Sequence, residues 1–351
     1  MSIQTRKNTN VTLQAIAQKM GTSAMTVSRV LNGQYEVQTA AAIRRADEIR
    51  QVARTMGYVP NAAARMMRSK QTRQIGLLLR NEEGHRYHNL AAFILMLGIN
   101  TRLEEDGYLL SVVRLGDIRY ADGARSRVFE ERLLDGLIVF GGFSPNVFDW
   151  IENVIPNCIW ADTNKWLENS CLHRDEEQVG QLVAKHVLNL GYRRVIWTGG
   201  HPGIEGHYSI RDRYSGLKNE LARHGVELDV MESLQRPDNR LIYPQLAENL
   251  MPDCVLVAYN VHGAQAVMSG ANSIGKAVGR DFGLVCCDET PEVFESWPGL
   301  SRASNDRFEM GCLAADMMLQ KLRHPSNQPV SRKLTSHWIA GNSAWGPLAI
   351  R

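Results

Sequence analysis

A small all-helical headpiece followed by a larger α/β body of parallel sheet is the fold class this chain predicts, on three observations. Charge is divided unevenly: residues 1–74 hold 12 Lys+Arg against 3 Asp+Glu, a net of +9, whereas the rest holds 28 against 34, a net of −6. Near the N-terminus, apolar residues recur at helical spacing and are interrupted by a glycine; from Ile75 onward, short apolar runs alternate with amphipathic stretches. The third observation is length, since 351 residues exceed what one hydrophobic core fills.

In chain order, Thr12 is placed to cap a helix whose apolar face is Leu13, Ile16, Ala17 and Met20. Gly21 ends it, because glycine enters the left-handed conformation freely. Ser23 caps a second helix with Val27, Val30 and Leu31 inward, and two short helices about a glycine turn make a helix-turn-helix. Its outward side is taken as Ser23, Ala24, Met25, Thr26, Ser28 and Arg29. Hydroxyls there suit phosphates, Arg29 suits the paired acceptors of guanine, and Ala24 and Met25 suit thymine methyls. Pattern alone leaves open an ordinary helical-bundle fragment, and charge alone leaves open a merely solvated basic surface. A third helix is expected over residues 39–56, and Pro60 forbids its continuation.

The run Ser23-Ala24-Met25-Thr26-Val27-Ser28-Arg29-Val30-Leu31-Asn32-Gly33 resembles, almost residue for residue, the S-x-x-T-V-S-R-V-L-N-G recognition helix of the lactose-repressor (LacI/GalR) family. Gly57-Tyr58-Val59-Pro60-Asn61-Ala62-Ala63-Ala64-Arg65 and Thr72-Arg73-Gln74-Ile75-Gly76-Leu77-Leu78-Leu79 are similar to that family's hinge and first effector strand. The resemblance implies DNA contacts from Thr12, Ser23, Ala24, Met25, Thr26, Ser28, Arg29 and Asn32, and from Asn61, Ala64 and Met67 in a short hinge helix over residues 62–69. Met67 stands where leucine is usual and can act as a minor-groove wedge; the plainer alternative is a methionine touching the effector domain. The chain departs from the family where 23 residues separate Gly33 from Gly57, several more than usual, which lengthens the third helix by about one turn.

Beyond the hinge, strands are expected at 75–79, 109–113, 136–140, 157–160, 195–199, 254–258 and 283–287, with helices at 90–106, 178–190 and 214–224 among them. Such alternation makes an open parallel sheet. The resemblance implies two of them in a periplasmic-binding-protein arrangement, with a ligand cleft at the strand ends. The expected organisation is a headpiece at 1–60, a hinge and linker at 61–73, and an effector domain at 74–351. Its first lobe takes about 74–162 and 307–323, its second about 163–306 and 324–351. Arg213, in Arg213-Tyr214-Ser215-Gly216, matches the family's R-x-x-G arginine, with Ser209 before it; Asp288 matches a pocket aspartate. Asn260 corresponds to the first residue of an N-D pair whose second is here Val261, a departure that puts the ligand chemistry in doubt. Tyr87 and His88 follow the first strand and Asp162 the fourth. Such groups hold sugar hydroxyls or a small anion.

Other classes are set aside on composition and motif. There is no secretory leader and no apolar run of membrane-spanning length, so a cytoplasmic protein without membrane contact is expected. Six cysteines without a C-x-x-C pair point to buried free thiols. Residues 270–277 nearly spell a phosphate-binding loop but end in alanine and trail a helix; neither H-E-x-x-H nor G-x-S-x-G occurs. No metal or cofactor is implied. The rivals, a solute-binding transport protein and a crevice enzyme, lack respectively an export signal and a catalytic constellation. The expectation is a ligand-responsive regulator binding double-stranded operator DNA as a homodimer, controlled by a sugar-like small molecule.

Overall fold

The computed structural model describes residues 11–32, 35, 39–59, 71–80, 89–115, 131, 133–199, 206–235, 241–289 and 299–346. The chain forms two compact units, Met1–Gln71 and Thr72–Arg351. In the first, α1 (Leu13–Met20), α2 (Ala24–Leu31) and α3 (Ala40–Thr55) each start on a hydroxyl cap: Thr12, Ser23 and Thr39 accept from the N–H groups of Ala15, Thr26 and Ala42. Gly21, at φ 58°, ends α1, and the Thr22 N–H closes back on the Ala17 carbonyl. Arg45 of α3 donates to the Met20 carbonyl at 2.5 Å, so a cation from a distant helix covers the negative end of α1. Ile16, Val27 and Ile49 are fully buried against Ala17, Val30, Ala46 and Ala53, a core of its own.

The second unit begins with β1 (Gln74–Arg80), α4 (Asn89–Glu105), β2 (Leu109–Leu115), β3 (Gly136–Phe140), α5 (Pro145–Val154), β4 (Cys158–Ala161) and β5 (Cys171–Arg174). It continues through α6 (Glu176–Asn189), β6 (Arg194–Trp197), α7 (Tyr208–Arg223), β7 (Leu228–Val230), the hairpin β8 (Leu234–Gln235) and β9 (Leu241–Ile242), α8 (Leu246–Asn249), β10 (Cys254–Ala258), α9 (Val261–Ser273) and β11 (Gly283–Cys286). It closes with β12 (Ser301–Ser304), α10 (Arg307–Arg323), β13 (Arg332–Leu334) and β14 (His337–Ile339). One sheet, ordered β13-β5-β4-β3-β1-β2, is parallel throughout; the other, β14-β12-β11-β10-β6-β7, is parallel except for β14. Apolar strands such as Cys254–Ala258 are buried along their whole length, as helices on both faces of a sheet require.

The chain crosses between the sheets three times, after β5, β12 and β13. This corrects the expected lobe limits. The first sheet does not stop at residue 162 but includes β5, and β13, allotted to the second lobe, is its edge strand. Both escaped the pattern because Cys-Leu-His-Arg and Arg-Lys-Leu lack the apolar alternation of a strand. In the second lobe α6 packs on α7 backbone to backbone: a Cβ at Gly216 would stand 2.1 Å from the Glu177 carbonyl oxygen, and one at Gly180 2.2 Å from that of Arg213.

Candidate functional site

On the headpiece, α2 offers the reading surface. Ser23 Oγ accepts from the Thr26 N–H at 3.1 Å and lies 2.9 Å from Thr26 Oγ1, so both hydroxyls sit at the positive end of the helix. Met25 is 63 % exposed and Arg29 is exposed, while Ala24 and Thr26 are half-buried. Ser28, expected on the outward face, is turned inward at 7 % exposure; its hydroxyl and carbonyl both accept from Nδ2 of Asn32, at 3.2 and 2.8 Å. Asn32 is thereby held at the exposed C-terminal end of α2, and Thr12 is engaged as the α1 cap. Asn61, Ala64 and Met67 lie outside the described residues, as do Tyr87 and His88.

In the larger unit, strand ends from both lobes meet in a buried set of charges. Asp162, directly after β4, adopts φ 52°, a left-handed conformation that aspartate tolerates better than most residues. Its Oδ2 accepts from Arg174 Nε and Nη2 at 3.2 and 2.8 Å, and its Oδ1 from the Tyr208 hydroxyl at 2.6 Å. Arg174 Nη2 also lies 2.9 Å from Glu176 Oε1. Arg213 grips Glu176 through Nε and Nη2 at 2.5 and 2.9 Å, while its Nη1 donates to the Tyr259 carbonyl at 2.6 Å. Arg307 Nη2 donates to both oxygens of Asp288, at 2.8 and 3.0 Å. Asp288 further stands 3.5 Å from Arg213 Nη2 and 3.6 Å from Arg174 Nη1.

Three guanidiniums thus balance three carboxylates. Asp162 and Arg174 come from the first lobe, Glu176, Arg213 and Asp288 from the second, and Arg307 from α10, which packs on the first sheet. The cluster ties the lobes together. Burial alone would raise the Asp162 and Asp288 carboxyls, but Arg174 at the first, and Arg307 with Arg213 at the second, hold both well below the usual carboxylate range. Burial next to Asp162 pushes the Tyr208 hydroxyl well above its ordinary value, so it stays a donor.

Around the charges lies a polar and aromatic shell. His207 bridges the Asp162 carbonyl at 2.8 Å and Ser209 Oγ at 2.7 Å; Ser209 in turn meets the Tyr259 hydroxyl at 2.6 Å. The Arg213 guanidinium lies over the Tyr259 ring at 4.9 Å. His173 stacks on Tyr208, centroids 4.5 Å apart, and its Nε2 lies 3.0 Å from the Lys165 carbonyl. Burial pushes the His173 imidazole down to about 4.

The structure therefore gathers Asp162, Ser209, Arg213 and Asp288 into one network, and leaves Asn260 out of it. Asn260 caps α9, its Oδ1 accepting from the Gly263 N–H at 2.9 Å, and Val261 enters the core behind it. Arg213, fully buried and committed to Glu176 and Tyr259, is a strut between α6, α7 and β10 more than a group waiting for a ligand. Arg174, Glu176, Tyr208 and Arg307 were missed: a charge run such as His173-Arg174-Asp175-Glu176-Glu177 looks like a solvated face until two lobes close over it. Among the described residues no His/Cys/Asp/Glu group is placed to hold a metal, no helix is long and apolar enough to cross a membrane, and all six cysteines are free.

A helix-turn-helix headpiece on a two-sheet α/β unit with charged strand ends defines a DNA-binding regulator with a ligand-binding body. Known proteins agree. Residues 12–61 match the bacterial regulatory proteins of the lacI family, and residues 184–344 match the periplasmic binding protein-like domain. The maltose regulon regulatory protein MalI of Escherichia coli K12 is 26% identical over 332 residues, covering 90% of this chain and 93% of that protein. Catabolite control protein A of Staphylococcus xylosus is 24% identical over 88% of this chain and 91% of its own length. The Lac repressor dimer bound to operator and the anti-inducer ONPF shares the fold at a TM-score of 0.70 and 19% identity, over 95% of this chain and 99% of that one. The chain carries a lacI-family DNA-binding domain joined to a periplasmic binding protein-like domain.

Proposed function

We propose that this protein is a sequence-specific transcription repressor that binds a pseudo-palindromic operator as a homodimer and answers to a small molecule, a sugar or sugar derivative, in the cleft of its larger unit. The observation that carries the reading is α2 itself: a capped helix with Met25 and Arg29 exposed, inside a segment of net charge +9. Among the described residues the buried charged groups of the larger unit pair with one another as ions, which supports binding over catalysis. A regulator of this kind works in the cytoplasm. Solved relatives support the effector class, among them a LacI-family regulator from Enterococcus faecium with bound ribose, 19% identical over 78% of this chain and 99% of that one, at a TM-score of 0.63. Ligand exchanged for cross-lobe contacts changes how the lobes meet, and the coupling to DNA is reciprocal. Selection of bound duplexes from random DNA should return an inverted repeat whose affinity falls steeply with salt. Recovery of sequences without two-fold symmetry, or of salt-independent binding, refutes the reading.

A further inference from the structure

Two buried donors near the junction of the lobes lack an acceptor: Nη1 of Arg174, a side chain only 5% exposed, and Nδ2 of Asn305. The Asn305 amide is oriented by its other end, since Oδ1 takes the Ser336 hydroxyl at 2.6 Å. Beside it opens a cavity of about 320 Å³, walled by Ala91, Ile94 and Phe308 on its apolar side and by Glu289, Asn305 and Arg307 on its polar side. Arg174 and Arg307 meet on a single atom, Oδ1 of Asp288, at 3.6 and 2.8 Å. Asp288 is also the cluster's most exposed carboxylate, at 13% against 6% for Asp162 and 0% for Glu176.

From this we infer that the effector carries an oxyanion, a carboxylate or a phosphate, which takes the place of Asp288 between Arg174 and Arg307 and leans its body into the cavity against Ile94 and Phe308. The inference rests on the cleft being the effector site. The charge count favours exchange over addition. With Asp288 in place the cluster is neutral, and a further anion would leave an uncompensated buried charge; with Asp288 released toward water, balance is kept. A neutral sugar could meet Asn305 Nδ2 with a lone pair but could not satisfy two guanidiniums whose carboxylate had left. In the effector-free protein Asp288 is an internal stand-in for the ligand.

The test is chemical rescue of full-length Asp288→Ala, followed by thermal unfolding with tryptophan fluorescence. Sodium acetate, sodium phosphate and sodium chloride are compared at equal ionic strength. Acetate or phosphate should raise the midpoint saturably, at concentrations at least about tenfold lower than in Asp288→Ala/Arg307→Gln. The better anion of the two separates a carboxylic-acid effector from a phosphorylated one. If Asp288→Ala does not fold alone, the same anions should restore its cooperative transition. A response no greater than to chloride, an equal response in Asp288→Ala/Arg307→Gln, or a folding defect that neither anion repairs overturns the inference. The readout contains no DNA, so such a failure leaves the operator-binding reading standing.

Discussion

Arg213 provides the sharpest single perturbation. Replacing it by methionine keeps much of its volume but strips Glu176, which is fully buried, of its bidentate partner, leaving only Arg174 Nη2 at 2.9 Å. Breaking a buried pair from one side costs about 3–5 kcal/mol. Because Arg174 remains, the lower end is expected, about 3 kcal/mol, which in a unit of this size lowers the melting midpoint by roughly 5 °C. All seven tryptophans lie beyond residue 149, so fluorescence during urea or thermal unfolding reports on the larger unit alone. Adding Glu176→Gln removes the stranded charge and should recover about 1–2 kcal/mol, a coupling that a pair in direct contact must show. A single variant within about 1 kcal/mol of wild type, or a double variant no better than the single, would refute the strut.

Further outcomes are expected from other parts of the molecule. The depressed His173 value, about 4 against the ordinary 6.5, favours the neutral ring in the folded state. The unfolded chain then takes up the proton first, so stability present above about pH 6.5 is lost as pH falls toward 4, by up to about 3 kcal/mol. His173→Gln should flatten a urea-denaturation pH profile in that window, whereas Asp162 and Asp288, held lower, act only in stronger acid. Arg29→Ala should cost about 1–3 kcal/mol in operator binding and relax preference at one base pair per half-site, read by competition with mutated operators; a uniform loss would make Arg29 a phosphate contact. Burial pushes the Cys158, Cys254 and Cys286 thiols up to about 12, so a native thiol titration should label the half-exposed Cys312 well before these three.

The headpiece was legible because its signals are local. Thr12, Ser23 and Gly21 each act within one turn of their own position, and α3 begins and ends within one residue of the expected limits. Ser28 was misplaced because polarity was read instead of angle. At about 100° per residue it falls on the helical wheel about 40° from Ala24 and about 60° from Leu31, both of which pack on the core. In the body, strands with continuous apolar runs could be read and β5 and β13 could not, since their place comes from neighbours that the sequence does not bring close. The same reason hid half of the ion cluster. Arg174, Glu176 and Arg307 become partners only where the chain crosses between lobes, and Asn260 resembled a ligand residue while serving a cap visible in its own next three residues.

The backbone contact between α6 and α7 sets the grip of Arg213 on Glu176. Gly180 lies one turn after Glu176 and rests on the carbonyl of Arg213 itself, and Gly216 lies about one turn after Arg213 and rests on the carbonyl of Glu177. Two residues without side chains therefore act as the gauge for a salt bridge. A single methyl at either would work as a shim, sliding one helix along or off the other and loosening the interlobe cluster with every charge still present. The responsiveness of this regulator can thus be tuned by residues that touch neither ligand nor DNA.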